Sequence, residues 1–483
     1  MQIRQKISRK TIYFLLIICY NIINIFTYYK KHPYGYKYTL YKGVNDLNET
    51  NIKTVEQIIV NGGKKLFGEV YIDGMKNAAL PIVFATILTK DKCVLENIPS
   101  VSDVSLALKI LEALGASVEY IDDTTVEVNT RDLKFDEAPR ELVSKMRAST
   151  YLLGSELGRF GKAHVGMSGG CNFGKRPIDL HIKGFEALGA TLTTDPDDDD
   201  NVALLADDGL IGNNIYLDIA SVGATVNIIL AAACAEGITV IDNAAREPHI
   251  VDLANFLNTC GANITGAGTS TIKIRGAKKL HGCTYTIIPD MIEAGTFMVA
   301  VAATGGKITV NNIIPKHMET VSTKLYEMGA TIEEGDDYIT VIADRPMTGV
   351  TITTATYPGF PTDMHPQFAA ALCFAEGNSV ITEGIWENRF KYTDELRKLG
   401  ANITVNAKTA LIKGGNRMTG AKINSVDLRG GAAVLIGALA SDGISEINDI
   451  DVIERGYYNI VGKLKKLGAD IEKKVYILQE ELV

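Results

Sequence analysis

Cys171 lies in Met167-Ser-Gly-Gly-Cys-Asn-Phe-Gly-Lys-Arg-Pro177, surroundings that suit a reactive thiol. The glycines at 169, 170 and 174 predict a mobile loop. Lys175 and Arg176 beside the sulfur would lower its pKa from a model value of about 8.5, making it a proton donor or nucleophile near neutrality. Asp363, in Phe360-Pro-Thr-Asp-Met364 ahead of a helix, has two readings. It is either a helix N-cap or a carboxylate base facing the same pocket, and spacing leaves both open.

Basic side chains recur just before helices. Lys76 and Asn77 stand in GMKNAALP, Arg147 in KMRAST, Arg246 in AAREPH, Arg389 in WENRFKY, Arg429 in DLRGGA and Arg455 in IERGYY. Ser221 in ASVGAT and Asp290 in PDMIEAGT hold corresponding places. A helix N-terminus is already partly positive, so repeated cations there imply a compensating bound anion. Convergence on a ligand rich in phosphate or carboxylate is the expectation.

Those residues hang on a repeat. The phrases EALGASV, EALGATL, NTCGANI, YEMGATI, RKLGANI and KKLGADI place glycines at 115, 189, 261, 329, 400 and 468. The spacing is about 70 residues, longer than common solenoid repeats. Each phrase reads as a helix ending at a C-cap glycine and then a strand. Asp103 to Leu114 shows the helical part, with an acid at its start and apolar residues three and four apart. A second phrase, an Ala-rich helix followed by a polar turn and a strand, recurs in ILAAACAEGITVIDN, VAVAATGGKITVNN, AALCFAEGNSVITEG and LIGALASDGISEIND. One repeat is therefore β-α-β-α-β-β, occurring six times, and two similar domains of three repeats each follow. The acidic run Asp195–Asp200 reads as a solvated turn.

Composition narrows the function classes. The chain has 483 residues, 57 acidic against 49 basic, for a net charge of -8. That length calls for more than one core, and the charge argues against a nucleic-acid partner bound through global positive charge. The seven cysteines (Cys19, Cys93, Cys171, Cys234, Cys260, Cys283, Cys373) form no CxxC pair and read as cytosolic thiols. The seven histidines show no paired metal-ligand spacing. Thr11 to Tyr28 is an apolar run with Arg4, Lys6, Arg9 and Lys10 before it and Lys30, Lys31, Lys37 and Lys42 after it. It is long enough for a marginal membrane span or signal-like segment. The alternative is an upstream-extended start, with the domain proper beginning near Val55.

GMKNAALP, MRAS, GGCNFGKRPIDLH, SVGAT, NAAREPHIVD, FPTDM, ENRF, DLR and ERGY, in this order, closely resemble the UDP-N-acetylglucosamine 1-carboxyvinyltransferases. These are the enolpyruvyl transferases of the first committed step of bacterial peptidoglycan synthesis, and the resemblance runs from about Val55 to the C-terminus. It implies a two-domain inside-out α/β barrel with three repeats per domain. Residues 1–55 would be an extension, 56–75 with 288–483 one discontinuous domain, and 76–287 a second carrying the Cys171 loop. It implies phosphoenolpyruvate and UDP-N-acetylglucosamine as substrates, no metal or organic cofactor, and a cytoplasmic enzyme.

By motif, Cys171 resembles the loop cysteine that protonates the methylene carbon of phosphoenolpyruvate. Lys76, Arg176 and Arg455 resemble the cradle for its phosphate and carboxylate. Asn77, Arg147, Arg176, Pro177, Ile178, Asp179, Leu180, His181, Ser221, Val222, Gly223 and Ile385 resemble contacts to the UDP-sugar. Asp363 resembles the acceptor of the sugar hydroxyl proton, while Arg389 and Arg429 would stabilise charge and closure. A cysteine at 171, where the family also tolerates aspartate, implies sensitivity to the epoxide inhibitor fosfomycin. Three positions depart from the pattern: Met291 stands where arginine is usual, Tyr151 where some members have tryptophan, and His365 where glutamine is common.

Overall fold

The computed structural model describes residues 53–166, 178–193 and 201–478. The apolar segment Thr11–Tyr28, the Cys171 loop with Arg176 and Pro177, and the acidic run Asp195–Asp200 lie outside the described residues. The folded unit begins at Lys53, two residues before the expected Val55.

Helices follow one another in alternating roles. Apart from the four-residue helices Arg140–Val143 and Asp451–Glu454, the first six are α1 (Lys76–Ala85), α2 (Ser102–Ala113), α3 (Tyr151–Phe160), α4 (Asp179–Ala187), α5 (Val222–Ala232) and α6 (Pro248–Thr259). The next are α7 (Met291–Thr304), α8 (Glu319–Met328), α9 (His365–Leu372), α10 (Tyr392–Lys398), α11 (Leu428–Ala440) and α12 (Ile460–Lys466). Odd-numbered helices are inner ones. In α5 every residue from Ala224 to Ala232 is buried, and in α7 every residue from Met291 to Ala302. A helix apolar on all sides must be surrounded by protein, which is why these segments are rich in Ala, Val and Ile. They also approach closely. A Cβ on Gly154 of α3 would sit 2.4 Å from the Asn227 carbonyl oxygen of α5. Even-numbered helices are amphipathic: α2 buries Val104, Ala107, Leu108 and Leu111, a three-and-four spacing that seats one face on the core.

Helices α1, α3 and α5 pack together, as do α7, α9 and α11. Small mixed sheets lie outside them. Strands such as Thr271–Arg275 and Lys92–Glu96 alternate exposed or half-exposed residues with buried ones, so one face is wet and the other lies on the helices. The first repeat has the predicted β-α-β-α-β-β order, but among the described residues no strand opens the second before α3, and the sixth ends in the single strand Asp470–Leu478, its sheet completed by Lys53–Asn61. After Leu66–Tyr71 come α1, strand Lys92–Glu96, α2, and the antiparallel strands Ser117–Tyr120 and Val126–Asn129. Each of the six phrase glycines has positive φ, from +93° at Gly189 to +107° at Gly329. That backbone ends the even-numbered helices and turns the chain into a strand, a conformation cheap only for glycine.

Pairing across the sequence closes the architecture. Strand Lys53–Asn61 runs antiparallel to both Ile444–Asn448 and Asp470–Leu478, and Leu66–Tyr71 lies parallel to Gly306–Asn311. Thr284–Thr286 returns to lie parallel to Lys92–Glu96. The start of the folded unit is thereby stitched to its end. Among the described residues, no helix is long and apolar enough to cross a membrane.

Candidate active site

The helix starts bring the predicted cations together around carboxylates. Lys76, first residue of α1, is buried, and its Nζ lies 2.6 Å from Asp103 Oδ2. Asp103 comes from the first turn of α2 and also accepts from Arg455, at 3.0 Å from Nε and 3.4 Å from Nη2. Burial raises the Asp103 carboxyl, but Lys76 and Arg455 outweigh it and hold the group below its ordinary pKa. Burial lowers the Lys76 ammonium, opposed by Asp103 and reinforced by the nearby charges of Arg429 and Arg455. Lys76 is thus a buried lysine paired with one carboxylate and lying in the field of two guanidiniums.

Asp363 is the second convergence point. It accepts from Arg389 Nη2 at 2.7 Å and from Arg429 Nε at 3.2 Å. Burial opposes ionisation, yet the two guanidiniums hold Asp363 well below the usual carboxylate range. The N-cap reading of Asp363 is overturned. Met364 precedes α9 without a side-chain cap bond, and the Asp363 carboxylate turns to the arginines instead. Side-chain caps come from other residues, among them Asp290 on α7, accepting from Ile292 N and Glu293 N, and Asp427 on α11, accepting from Arg429 N and Gly430 N. Arg429 is buried, lies 5.3 Å from the Tyr457 ring centroid, and feels Asp290 as well as Asp363. It joins the two groups, since its charge also reaches Lys76. The sequence argument asked for a bound anion to offset these cations; the fold itself supplies two, Asp103 and Asp363.

A third constellation is built on α4 and α5. His181 Nδ1 lies 2.8 Å from Asn227 Nδ2, and Asn227 Oδ1 accepts from Gly154 N at 2.9 Å. The amide nitrogen donates, so Nδ1 is the acceptor and His181 is neutral, its proton on Nε2. Burial pulls its pKa down to about 4, with Asp179 opposing and Arg147 adding to the fall. Gly223 lies beside the ring: a Cβ there would approach His181 Cε1 and Nε2 at 3.0 Å. Ser221 caps α5 by accepting from Ala224 N, with Val222 as the helix's first residue. Ile178 caps α4, and Leu180 is half-buried in its first turn. This set joins Arg147, Asp179, His181 and Gly223.

Ile385 N donates to Glu383 Oε1 at 2.7 Å, and Glu383 Oε2 lies 3.2 Å from His365 Nε2. His365 is fully buried, its Nδ1 is 3.1 Å from Tyr392 OH, and burial keeps it neutral. Asn77 is half-buried on α1, and Met291 is buried at the first position of α7. Sequence reasoning missed Asp103, Asn227 and Glu383 as partners. Asp103 was visible as an acid in a first helical turn, where a dipole role accounts for it fully. Asn227 was visible as a lone amide in an apolar helix. A cleft of about 320 Å³ lined by Arg246, Asp252, His317 and Tyr357 among others includes none of Lys76, Asp363, Arg429 or Arg455. Among the described residues, no group of His, Cys, Asp and Glu side chains presents a geometry for holding a metal ion.

Residues 60–464 match the family model described as EPSP synthase (3-phosphoshikimate 1-carboxyvinyltransferase). The enolpyruvyl transferase NikO from Streptomyces tendae superposes with a TM-score of 0.80 at 27% identity, over 88% of this chain and 100% of that one. EPSP synthase from Acinetobacter baumannii superposes at 0.68 and 21% identity, over 87% of this chain and 100% of that one, a likeness of fold alone. The fold is thus that of the enolpyruvyl transferases, with its inside-out α/β barrels. The chain is 51% identical to UDP-N-acetylglucosamine 1-carboxyvinyltransferase 2 of Clostridium acetobutylicum over 87% of its length and 100% of the relative's. It is 48% identical to the enzyme of that name from Clostridium botulinum, over 86% of this chain and 99% of the relative. The chain belongs to the UDP-N-acetylglucosamine 1-carboxyvinyltransferase family.

Proposed function

We propose that this enzyme transfers the enolpyruvyl group of phosphoenolpyruvate to the 3-hydroxyl of UDP-N-acetylglucosamine and releases phosphate, the first committed step of peptidoglycan synthesis. The observation that carries the reading is buried Lys76 and partly exposed Arg455 meeting on Asp103, with the charge of buried Arg429 also reaching Lys76. Phosphoenolpyruvate brings a phosphate and a carboxylate, and fixed cations match both. The sugar hydroxyl adds to the enol carbon while the methylene carbon takes a proton, giving a tetrahedral ketal. Loss of a proton from the methyl group so formed, together with departure of phosphate, restores the carbon–carbon double bond and completes the exchange. Lys76, Arg176 and Arg455 hold the phosphate and carboxylate, and Cys171 delivers the methylene proton.

Asp363 takes the proton of the attacking hydroxyl. Held far below the ordinary carboxylate range by Arg389 and Arg429, it accepts a proton only once a guanidinium turns from it toward substrate. Basicity would then rise on substrate arrival, which couples closure to chemistry. Asn77, Arg147, Pro177, Ile178, Asp179, Leu180, His181, Ser221, Val222, Gly223 and Ile385 surround the UDP-sugar. The strand pairings of Lys53–Tyr71 and Thr284–Thr286 support one discontinuous domain of 56–75 with 288–483 and another of 76–287. The substrates are cytosolic metabolites, so the catalytic residues work in the cytoplasm, and the chain would associate with a membrane only if the apolar segment Thr11–Tyr28 is an anchor and not an upstream-extended start.

A shikimate-type enolpyruvyl transferase would carry a serine-rich LPGSKS-type motif where this chain has GMKNAALP, and would lack the loop cysteine. A non-catalytic UDP-sugar-binding paralogue is the other alternative. The test is phosphate release from phosphoenolpyruvate. Release that requires UDP-N-acetylglucosamine and disappears in Cys171→Ala is expected. Release with shikimate 3-phosphate instead, or none with any acceptor, would overturn the reading. Cys171→Asp should keep activity and resist fosfomycin.

A further inference from the structure

Three cysteines that are far apart in sequence meet away from the catalytic cluster. Cys260 follows the last residue of α6, Cys283 precedes strand Thr284–Thr286, and Cys93 lies within strand Lys92–Glu96. Cys260 Sγ and Cys283 Sγ are 3.4 Å apart. Cys93 interacts with both sulfurs, and its own Sγ is 3.6 Å from Thr89 Oγ1. Backbone hydrogen bonds pin the three segments in this arrangement. His281 N donates to Cys260 O at 2.9 Å, and Val94 N donates to Cys283 O at 2.9 Å. Gly282 packs so tightly on the Lys92 carbonyl that a Cβ would fall 1.7 Å from its oxygen. The three backbone segments therefore cannot separate without breaking a sheet and a helix end.

Access is graded. Cys93 and Cys260 are fully buried, whereas Cys283 is partly exposed beside the exposed His281. All three are free thiols. Three sulfurs in contact cannot all ionise. Hydrogen bonds from Cys260 and Cys283 hold Cys93 down to about 3, while Cys283 and Cys93 drive Cys260 far up. Cys260 lowers the Cys283 thiol, but Cys93 and burial outweigh it and push that thiol up to about 12, so negative charge in the group is favoured on Cys93, whose sulfur can take the Cys283 proton when Cys283 reacts.

We propose that Cys260 and Cys283 form a reversible disulfide on exposure to a hydroperoxide, with Cys93 as the third thiol able to exchange with it. Cys283, the sulfur within reach of solvent, attacks the peroxide. An S–O bond forms, the O–O bond breaks, and the departing hydroxide takes a proton to become water. Cys260 then attacks the Cys283 sulfenic acid, an S–S bond forms, the S–O bond breaks, and a second water leaves carrying the Cys260 proton. Two thiols are oxidised and one peroxide is reduced. Going from 3.4 Å to a bond of about 2.05 Å asks the two sulfurs to approach by about 1.4 Å. The link would protect Cys283 from irreversible over-oxidation and would tie the end of α6 to the strand that leads into Asp290.

The experiment treats the purified full-length chain with graded hydrogen peroxide, blocks remaining thiols, and maps the peptides without reduction. A linked peptide pair containing Cys260 and Cys283 is expected, lighter by two hydrogens than the sum of its parts and reversed by dithiothreitol. Cys93→Ser should keep that pair, and Cys283→Ser should lose it. The thermal midpoint of the unsubstituted chain should rise by several degrees on oxidation and return on reduction, which needs no variant to fold. If Cys260 and Cys283 are both still alkylated at peroxide levels that consume Cys171, or if the midpoint falls on oxidation, the proposal fails.

Discussion

Replacing Asp103 by asparagine would leave Lys76 and Arg455 facing each other without the carboxylate that separates them. The Lys76 side chain is 10% exposed and that of Arg455 31%, so one cation is buried and the other partly screened. Removing one partner of a buried ion pair costs about 3–5 kcal/mol, and the exposure of Arg455 points to the lower end, about 3 kcal/mol. Asparagine fills nearly the same volume, so almost all of this is electrostatic. If the two cations form an anion cradle, inorganic phosphate should restore what the variant lost. A ligand at 100 times its Kd adds about 2.7 kcal/mol to a folded state that alone binds it. The unsubstituted chain should gain less, because Asp103 already occupies the cations. The assay is urea unfolding of both proteins with and without phosphate, at constant ionic strength maintained with chloride. A variant that phosphate stabilises no more than the parent would refute the cradle, because the vacancy opposite Lys76 and Arg455 would then not be an anion site.

Asp363→Asn strands the buried guanidiniums of Arg389 and Arg429. Stability should fall by about 3 kcal/mol and turnover by about 100-fold or more, read by urea unfolding and phosphate release; unchanged turnover would remove Asp363 from the chemistry. His181 has a folded-state value of about 4 against 6.5, so the unfolded chain takes up the proton first as pH falls. Stability contributed above pH 6.5 is lost between about 6.5 and 4. From pH 6.5 to 4.5 that amounts to about 2 kcal/mol, and His181→Gln should flatten the unfolding free energy across this interval by that amount. Gly154→Ala would place its Cβ 2.4 Å from the Asn227 carbonyl oxygen and 2.8 Å from Oδ1. A loss of about 2 kcal/mol or more is expected, together with a raised His181 pKa by NMR as its amide partner is displaced; an unshifted titration would show that Asn227 does not hold the ring.

The six glycine phrases and the Ala-rich helices were legible because they obey local rules. A positive-φ glycine ends a helix wherever it sits, and the structure has one at each of the six predicted places. An all-apolar helix must be interior, as α5 and α7 are. Lys76, Arg389 and Arg429 could be chosen from sequence because cations at helix starts conflict with the helix dipole, and a conflict points outward to a ligand; Arg455, expected before a helix by the same reading, instead sits at the C-terminal end of the short helix Asp451–Glu454, where a cation suits the dipole. What they conflict with was not legible. Asp103 reads as an ordinary first-turn acid, Asp363 as either a cap or a base, and Cys93, Cys260 and Cys283 as scattered thiols. Their partners lie 352 positions away for Asp103 with Arg455, 66 for Asp363 with Arg429, and 23 for Cys260 with Cys283. The sequence by itself determined the repeat, the burial of its helices and the list of cations, since each rests on neighbours within a turn or two. The tertiary structure alone decided which carboxylate each cation meets and which sulfurs touch, because those contacts arise only when distant repeats pack and no short-range pattern encodes the pairing.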